Sequence, residues 1–292
     1  MHSAKLKDVQ ARNSSSTMIL TAIARAAHQV LDHEPRILHD PIAIGLAEGC
    51  SREEILAAAP DHRTPIALLL RSAFVLRSRF AEDCLRSAVE RGIRQYVILG
   101  AGLDTFAYRQ PAWARELVIF EVDHPSSQEY KRERLTASRI EIPANLCFCP
   151  CDFEQQSLEE ALAAISFDRR ATTFFSWLGV TQYLTREAIE TTLRFVASLP
   201  HGSEIVLQFV VPQDHLSGID AEVSLFAASG AAMRGEPWIT RIDPEDCETW
   251  LGKLGFSKVI RLTQEDAQRR YFHGRRDGLR VYRVSELMDA IV

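Results

Sequence analysis

Hydrophobic residues recur along the chain at two different spacings, and the change comes near residue 95. In 64–92, Thr64-Pro65 supplies an N-cap followed by proline at the first helical position, apolar residues repeat at helical spacing over 66–80, and Gly92 is placed to end a helix. The stretch TMILTAIARAAHQVL (17–31) predicts an earlier amphipathic helix, and HDPIA (39–43) predicts a turn into a short one. We therefore expect a helical N-terminal extension over residues 1–92.

From residue 96 onward, short apolar runs alternate with helical patterns, which predicts a parallel sheet covered by helices. The predicted strands lie at about 96–100, 117–122, 146–151, 172–178 and 204–211. Two later runs, KVIRLT (258–263) and LRVYRVS (279–285), could pair antiparallel at one edge. The expected fold is α/β, with a seven-stranded, mostly parallel sheet and one antiparallel edge strand, over residues 93–292.

A longer irregular piece, at about 212–243, follows the fifth predicted strand and holds the apolar helix candidate AEVSLFAASGAAM. Segments after a strand's carboxyl end commonly build or cover a site. We interpret this insertion as a lid, with Phe226, Met233 and Trp238 as its apolar residues.

Composition narrows the class of partner. The chain has 292 residues, is 46% hydrophobic and 25% charged, and carries a net charge of −5 with a pI near 6.0. This balance gives no general attraction for nucleic acid or an anionic membrane surface. The cluster RRYFHGRRDGLR (269–280) mixes basic and aromatic residues, but a lone cluster in an acidic protein is a weak indicator of nucleic-acid binding. Small-molecule or protein substrates are favoured.

The N-terminal apolar stretch is short, is interrupted by Arg25 and His28, and lacks a secretory cleavage pattern. A cytoplasmic enzyme is the expectation. Three of the six cysteines stand in LCFCPCDF (146–153), where alternate residues face one side of a strand. This spacing lacks the paired pattern of a zinc site, so we interpret the cysteines as small apolar residues on a buried strand face and expect no metal.

The stretch YVILGAGLDTFAYR (96–109) carries the strongest chemical signal. Gly100 and Gly102 allow a tight turn and a close ligand approach. A dinucleotide fingerprint asks for Gly or Ala at position 105, where Thr105 stands, and the carboxylate of Asp104 is unfavourable beside a pyrophosphate. The same carboxylate suits an amino group or ribose hydroxyls. The turn favours S-adenosylmethionine over NAD, and an NAD-linked oxidoreductase remains the alternative.

Acids also stand at the ends of the second and third predicted strands. Glu121 and Asp123 end the second strand about 20 residues past the glycines, where an acid accepts hydrogen bonds from ribose hydroxyls in either cofactor class. Asp152 ends the third strand and is placed to accept the amino group of adenine, or to cap the next helix. Carboxyl ends of parallel strands line one crevice, so these acids are expected to converge.

Motifs spread over nearly the whole chain resemble the leucine carboxyl methyltransferase family of class I S-adenosylmethionine-dependent methyltransferases. The similarity is to its bacterial branch of secondary-metabolism, polyketide-type O-methyltransferases. The matching pieces are TAIARAA, DPIA, RSRFAED, VILGAGLDTFAYR, FEVDHP, SWLGVTQYLTREAI, GEPWIT and RYFHGRRDGL. The resemblance implies a Rossmann-like class I methyltransferase fold, with S-adenosyl-L-methionine as cofactor and S-adenosyl-L-homocysteine as product.

The resemblance also assigns cofactor contacts. It implies that Gly100 and Gly102 contact the methionine part and that Asp123 contacts the ribose. It places Asp152 and Phe153 at the adenine.

Two arginines complete this set. Arg77, which opens RSRFAED, is implied to pair with the cofactor's carboxylate, for which forked guanidinium donors are well suited. Arg25 aligns near the same end of the site. One departure concerns Leu178 in SWLGVTQYL, where protein-phosphatase methylases carry Glu. This difference argues against a simple phosphatase methylase.

The expected activity is methylation of a carboxylate or phenolic oxygen on a small or carrier-bound metabolite; the alternative is a protein or peptide carboxyl group. A carboxylate is ionised near neutral pH and needs no base, whereas a phenol, with a pKa of about 10, benefits from one. The base candidates are His124, His215 and His273. Candidates for the substrate pocket are Trp177, Tyr183, Phe226 and Trp238.

Overall fold

The chain begins with helices that precede the sheet. The structure, a computed structural model, describes residues 17–47, 51–153 and 155–292, and the backbone of 2–16 within the first helix. These helices are α1 (His2–Leu31), α2 (Ile42–Leu46), α3 (Arg52–Ala57), α4 (Ala59–His62) and α5 (Pro65–Glu90). The Thr64 hydroxyl accepts a hydrogen bond from the Ala67 amide at 3.3 Å, and Gly92 turns the chain away at φ +104°, which confirms the start and end predicted for α5.

A seven-stranded sheet follows, with the strand order β3-β2-β1-β4-β5-β7-β6. Its strands are β1 (Gln95–Leu99), β2 (Val118–Asp123), β3 (Leu146–Pro150), β4 (Thr173–Trp177), β5 (Glu204–Val210), β6 (Lys258–Arg261) and β7 (Ser285–Ile291). The first five pair in parallel, and β7 pairs antiparallel with both β5 and β6. The mostly parallel sheet with an antiparallel edge is confirmed.

The last strand lies further along the chain than its predicted span of 279–285. Instead, β7 covers Ser285–Ile291, and residues 279–284 form no strand. The reason is that β7 carries two buried acids, Glu286 and Asp289, which interrupt the apolar pattern that marks a strand. Glu286 is satisfied by the guanidinium of Arg261 on β6, at 3.1 Å. The strand could not be predicted from its own sequence, because the partner of this buried acid lies on another strand.

Further helices cover the sheet on both faces. They are α6 (Pro125–Ala137), α7 (Leu158–Ala163), α8 (Arg186–Ala197), α9 (Gly218–Met233), α10 (Pro244–Leu254) and α11 (Gln264–Ala267). One face packs Leu99 and Trp177 against α7, α8 and α10, and the other packs Tyr96 and Ile98 against α5 and α11. Side chains alternate along a strand, so Ile98 and its neighbour Ser176 face the opposite way from Trp177. The helical extension thus packs on one face of the sheet; the domain boundary at residue 92 stays a prediction.

Two cysteines of LCFCPCDF, Cys149 and Cys151, are buried in the core, and Cys147 packs against it. All three belong to the same cluster, as the strand alternation predicted. Burial raises the pKa of the Cys149 thiol to about 12. Cys149 and Cys151 therefore serve as small packing residues of the core.

The insertion after β5 contains α9 and then crosses back over the carboxyl ends of the strands. The Ile239 amide donates to the Gln182 carbonyl at 2.8 Å, and the Thr240 hydroxyl donates to the Leu184 carbonyl at 2.5 Å. At Glu236 the insertion also reaches α1, because its carboxylate accepts a hydrogen bond from the Thr17 hydroxyl at 2.5 Å. Within the described residues, no helix combines the length and apolarity needed to cross a membrane.

Candidate functional site

A cavity of about 100 Å³ lies at the carboxyl ends of β1 and β4. Helices α1 and α5 close it from the side. Its lining residues are Thr17, Met18, Thr21, Arg25, Arg77, Ser78, Ile98, Leu99, Gly100, Ala101, Gly102, Leu103, Asp104, Ser176, Leu178 and Gly179. The structure thus brings together five of the predicted cofactor residues, Arg25, Arg77, Gly100, Gly102 and Asp104.

The glycine turn holds β1, β4 and α1 close together. Gly100 has φ +65°, and a Cβ there would stand 2.3 Å from Cγ2 of Val180 in the loop after β4. Gly102 has φ +43°, and its Cβ would approach the Met18 side chain at 3.2 Å. Only glycine combines these backbone angles with so little space. The two glycines are therefore required by the turn itself and keep its backbone bare toward the cavity.

Asp123 fastens this turn to the end of β2. Its Oδ2 accepts a hydrogen bond from the Gly102 amide at 2.5 Å, and its Oδ1 accepts one from the His124 amide at 2.7 Å. Burial raises the pKa of Asp123, and the two amide hydrogen bonds oppose that rise. Asp123 is not among the residues that line the cavity, so its predicted ribose contact stays a prediction.

Arg25 is held by buried groups on two sides. Its Nη2 donates to the Leu103 carbonyl at 2.5 Å, and its Nε lies 3.7 Å from Oδ2 of Asp40, a fully buried carboxylate. Asp40 also faces Arg109 at 3.4 Å, and Arg109 pairs in turn with Glu82 on α5. Arg25 therefore anchors the turn after β1 to α1 through the Leu103 carbonyl, and Asp40, which the sequence marked only as part of HDPIA, lies against the same guanidinium.

Arg77 is a half-buried cation with no carboxylate partner among the described residues. Its Nη1 donates to Oε1 of Gln208 at 3.1 Å, and its Cζ lies 4.9 Å from the ring centre of Phe74. Burial, reinforced by the neighbouring Arg25, lowers the pKa of Arg77 to about 10. A Cβ on Gly179 would stand 2.2 Å from Nη1, so the glycine makes room for the guanidinium.

Asp104, the acid of the turn, lines the same cavity. Its Oδ1 accepts a hydrogen bond from the Phe106 amide at 2.8 Å, which fixes the carboxylate at the start of a short 3₁₀ turn. The cavity therefore offers an unpaired guanidinium and a positioned carboxylate. This charge pair suits an amino-acid group, which carries an amine and a carboxylate.

A family model described as Leucine carboxyl methyltransferase matches residues 18–197. The chain belongs to this family. The Bacillus subtilis (strain 168) protein YktD, described as a "Putative S-adenosyl-L-methionine-dependent methyltransferase", is 30% identical over 95% of this chain and 98% of its own length. SCO7813 of Streptomyces coelicolor, with the same description, is 28% identical over 84% of each chain.

Among solved structures, that of a DUF574 family protein from Streptomyces avermitilis aligns with a TM-score of 0.53 at 16% identity. It covers 92% of this chain and 96% of that one, and it shows the shared fold. The chain is an S-adenosylmethionine-dependent methyltransferase with the class I fold, and S-adenosylmethionine is its cofactor. This assignment sets aside the NAD-linked oxidoreductase. The unpaired Arg77 and the bare glycine turn fit that cofactor.

Two residues assigned to adenine in this methyltransferase lie beyond the described cavity lining. Asp152 follows β3, where its Oδ2 accepts a hydrogen bond from Nε2 of Gln155 at 2.7 Å and stands 3.8 Å from Nε2 of His124. Phe153 packs against the core. The end of β3 lies beside β2, because the Cys151 amide donates to the Asp123 carbonyl at 2.9 Å. Their adenine contacts stay predictions.

None of the four substrate-pocket candidates lines the cavity. Trp177 is completely buried in the core, on the face of the sheet opposite to that of the cavity-lining Ser176. Tyr183 lies in a 3₁₀ turn after β4, and Phe226 is 54% exposed on α9. Trp238 belongs to the returning part of the insertion, where Arg241 stacks at 5.3 Å. Their role in holding substrate stays a prediction.

The histidines proposed as bases also lie away from this cavity. His124 caps α6 through Ser126, and His215 lies 3.4 Å from a carboxylate oxygen of Asp243. His273 borders a separate cavity. No described histidine lines the methyltransferase cavity.

Several lining residues, chiefly ones with hydroxyl groups, were not predicted from the sequence. Ser176 is fixed by the Tyr96 hydroxyl at 2.8 Å, and Ser78 lies one residue after Arg77 on α5. Gly179 could have been found, because a glycine just after β4 repeats the pattern after β1, and parallel strand ends share one crevice. Thr17 and Thr21 carried no such signal, since their place depends on how α1 packs.

Proposed function

We propose that this methyltransferase methylates a carboxylate oxygen on a small or carrier-bound metabolite. The observation that supports the acceptor's class is the set of titratable residues at the cavity: among the described residues these are Arg25, Arg77 and Asp104. A carboxylate arrives already ionised, whereas a phenol with a pKa of about 10 calls for a base. The described lining of this cavity includes no histidine that could act as such a base, which suits the carboxylate.

The residues would divide the work between holding and positioning. When bound, the cofactor supplies a methyl group on a cationic sulfur, which an oxygen nucleophile can accept. Arg77 would hold the cofactor's carboxylate with its forked donors, and Asp104 would face its amino group. Asp123, at the end of β2, would hold the ribose. Arg25 acts one step back, because it fixes the turn that carries these groups.

The insertion supports an apolar acceptor such as a polyketide-like or other secondary metabolite. Helix α9 leaves Leu225, Phe226 and Met233 at least half exposed, and the segment after it is tied to Gln182 beside β4. Exposed apolar side chains next to a site commonly mark a binding surface. We infer that this segment closes over the acceptor. Unchanged acceptor affinity in a folded variant lacking 218–233 would contradict the lid.

The experiment that tests the acceptor class uses methyl-labelled S-adenosylmethionine with a panel of carboxylic acids and matched phenols. Alkali releases methanol from a methyl ester and leaves a phenol ether intact, so the products separate by chemistry. We expect alkali-labile label and a rate that changes little from pH 6 to pH 8. Alkali-stable label confined to phenols, with a rate that rises with pH, would overturn the carboxylate assignment.

Two other predictions accompany this proposal. A protein or peptide carboxyl group is the second candidate acceptor, and label on a chain terminus in a peptide panel would favour it. A cytoplasmic location, without nucleic-acid or membrane partners, also stays a prediction.

A further inference from the structure

A second and larger cavity, of about 670 Å³, lies against α5 on its side away from the cofactor site. The two residues of α5 that line it are Arg79 and Asp83, whereas Arg77 and Ser78 line the cofactor cavity. Successive helical residues turn by about 100°, so Arg77 and Arg79 project from nearly opposite sides of the helix. The larger cavity is therefore a separate site, completed by the loops at 33–37 and 270–276.

Positive charge dominates this cavity. Its lining includes five arginines, Arg36, Arg79, Arg270, Arg275 and Arg276, and two carboxylates, Glu34 and Asp83. Asp83 serves several donors, since it accepts from Arg79 at 2.9 Å and from the Tyr271 hydroxyl at 2.8 Å and lies 3.7 Å from Arg270. Glu34 pairs with Arg36.

The remaining two arginines differ in their partners. Arg275 pairs with Asp277 and donates to the carbonyls of Pro35 and His33 at 2.7 and 2.9 Å, so it joins the two loops. Arg276 is exposed, and within the described part of the chain it makes no ion pair or hydrogen bond. With Asp277 included, three carboxylates face five guanidinium groups, which leaves an excess of two positive charges.

The floor of the cavity is apolar. Ile37, Phe272 and Leu279 are buried in one apolar cluster beneath the two loops. A π-helix over Gln268–Phe272 carries Arg270 toward the cavity. Such turns are rare in proteins, and those that occur are often found at functional sites. In addition, Nε of Arg36 is buried and has no hydrogen-bond acceptor in the described structure. Arg275 is thus held in place by both loops, and one donor of Arg36 is unused.

We propose that this cavity binds a small phosphate-bearing molecule. Guanidinium groups match phosphate oxygens with paired donors, and their excess charge here has no protein partner. The volume falls in the range of about 300–1,000 Å³ that small-molecule sites occupy. The motif RYFHGRRDGL, which supplies most of this charge, contributes no residue to the cofactor cavity.

Calorimetry with inorganic pyrophosphate tests the proposal on the full chain, with S-adenosylhomocysteine present to saturate the cofactor site. The test variant is Arg36→Gln/Arg276→Gln, which removes two cavity charges. The matched control is Arg52→Gln/Arg115→Gln, which removes two exposed charges outside the described cavities. Melting curves establish that each variant folds.

We expect one pyrophosphate per parent chain, at least tenfold weaker binding in the cavity variant, and binding within twofold of the parent in the control. No saturable binding would overturn the proposal. So would equal weakening in both variants, which indicates general charge attraction, or unchanged binding in the cavity variant. Tighter binding of a short RNA, with the same dependence on Arg36 and Arg276, would assign the surface to nucleic acid instead.

Discussion

Arg77 gives the sharpest prediction, because its two roles pull the stability of the chain and its cofactor affinity in opposite directions. A pKa change of one corresponds to about 1.4 kcal/mol, so the fall from 12.5 to about 10 costs the folded chain roughly 3 kcal/mol. Solvent screening of this partly exposed side chain reduces the cost to about 1–2 kcal/mol. Arg77→Gln removes the charge and keeps an amide donor for Gln208. We expect the cofactor-free variant to be about 1 kcal/mol more stable in urea unfolding.

The same substitution removes the forked donors proposed to hold the cofactor's carboxylate. Hydrogen bonds to charged groups contribute about 1.5–3 kcal/mol, which corresponds to roughly 10- to 150-fold in affinity. Calorimetry should therefore show S-adenosylhomocysteine binding weakened by at least tenfold in Arg77→Gln. Arg77→Lys serves as the control, since it keeps a positive charge without the planar fork. Its affinity for S-adenosylhomocysteine should lie between those of the parent and Arg77→Gln.

The opposite pair of results would refute this reasoning. A variant that is less stable than the parent, yet binds S-adenosylhomocysteine equally well, would make Arg77 a structural residue paired with Gln208 and Phe74. A loss of both stability and affinity would show that the buried charge is better solvated than its surroundings indicate. Only greater stability together with weaker binding supports a cation held ready for an anionic ligand.

Three further predictions follow from other contacts. Gly100→Ala should abolish S-adenosylhomocysteine binding, because the new Cβ would stand 2.3 Å from Cγ2 of Val180. Gly218→Ala, at a similar positive φ but in open space, should only lower the free energy of unfolding by about 1 kcal/mol in urea. Equal effects of the two substitutions on binding would contradict the role of the glycine turn. Lys131→Met should cost about 3 kcal/mol, because it leaves its buried partner Glu121, 2.7 Å away, without a cation, and adding Glu121→Gln should restore part of this in a double-mutant cycle. Burial and a neighbouring carboxylate raise the pKa of Glu204 from 4.5 to about 8, so the contribution of its protonated form to folding stability is complete below pH 4.5 and is lost as the pH rises through 8. The stability of Glu204→Gln relative to the parent should therefore increase between pH 5.5 and pH 8.5. A difference in stability that stays constant over this range would refute the shift.

The sheet and the cofactor turn were predictable because short runs of neighbouring residues determine both. Apolar runs of five or six residues give the strands, and the rule that parallel strands end at one edge places Gly100 near Gly179 although 79 residues separate them. The resemblance added Arg77, which lines the cavity in the structure, while its contact with the cofactor stays a prediction. The absence of a carboxylate partner for Arg77 among the described residues depends on how the elements pack, and no sequence motif indicates it.

Long-range charge pairing is what the sequence could not give. Arg25 reaches the Leu103 carbonyl across 78 residues, and Asp40 joins Arg25 to Arg109 only because α1, α2 and the turn after β1 meet. The same physics hid β7, whose buried Glu286 resembles a surface position until Arg261 is placed beside it. The arginine-rich cavity likewise depends on two loops more than 230 residues apart along the chain, joined by Arg275.

The size of the cofactor cavity ties these pieces together. At about 100 Å³ it is well below the roughly 300 Å³ at which small-molecule sites begin, so it can hold only part of a nucleoside cofactor, and the predicted ribose and adenine residues, Asp123 and Asp152, lie beyond its lining. Met18 lies against Gly102, and the neighbouring Thr17 is hydrogen-bonded to Glu236 of the insertion. Further along the same helix, Arg25 is fastened to the turn by buried partners. Because the fixed and the covering residues share one helix, we expect any widening of this cavity to occur at the Thr17 end of α1, where it would break the hydrogen bond between Thr17 and Glu236.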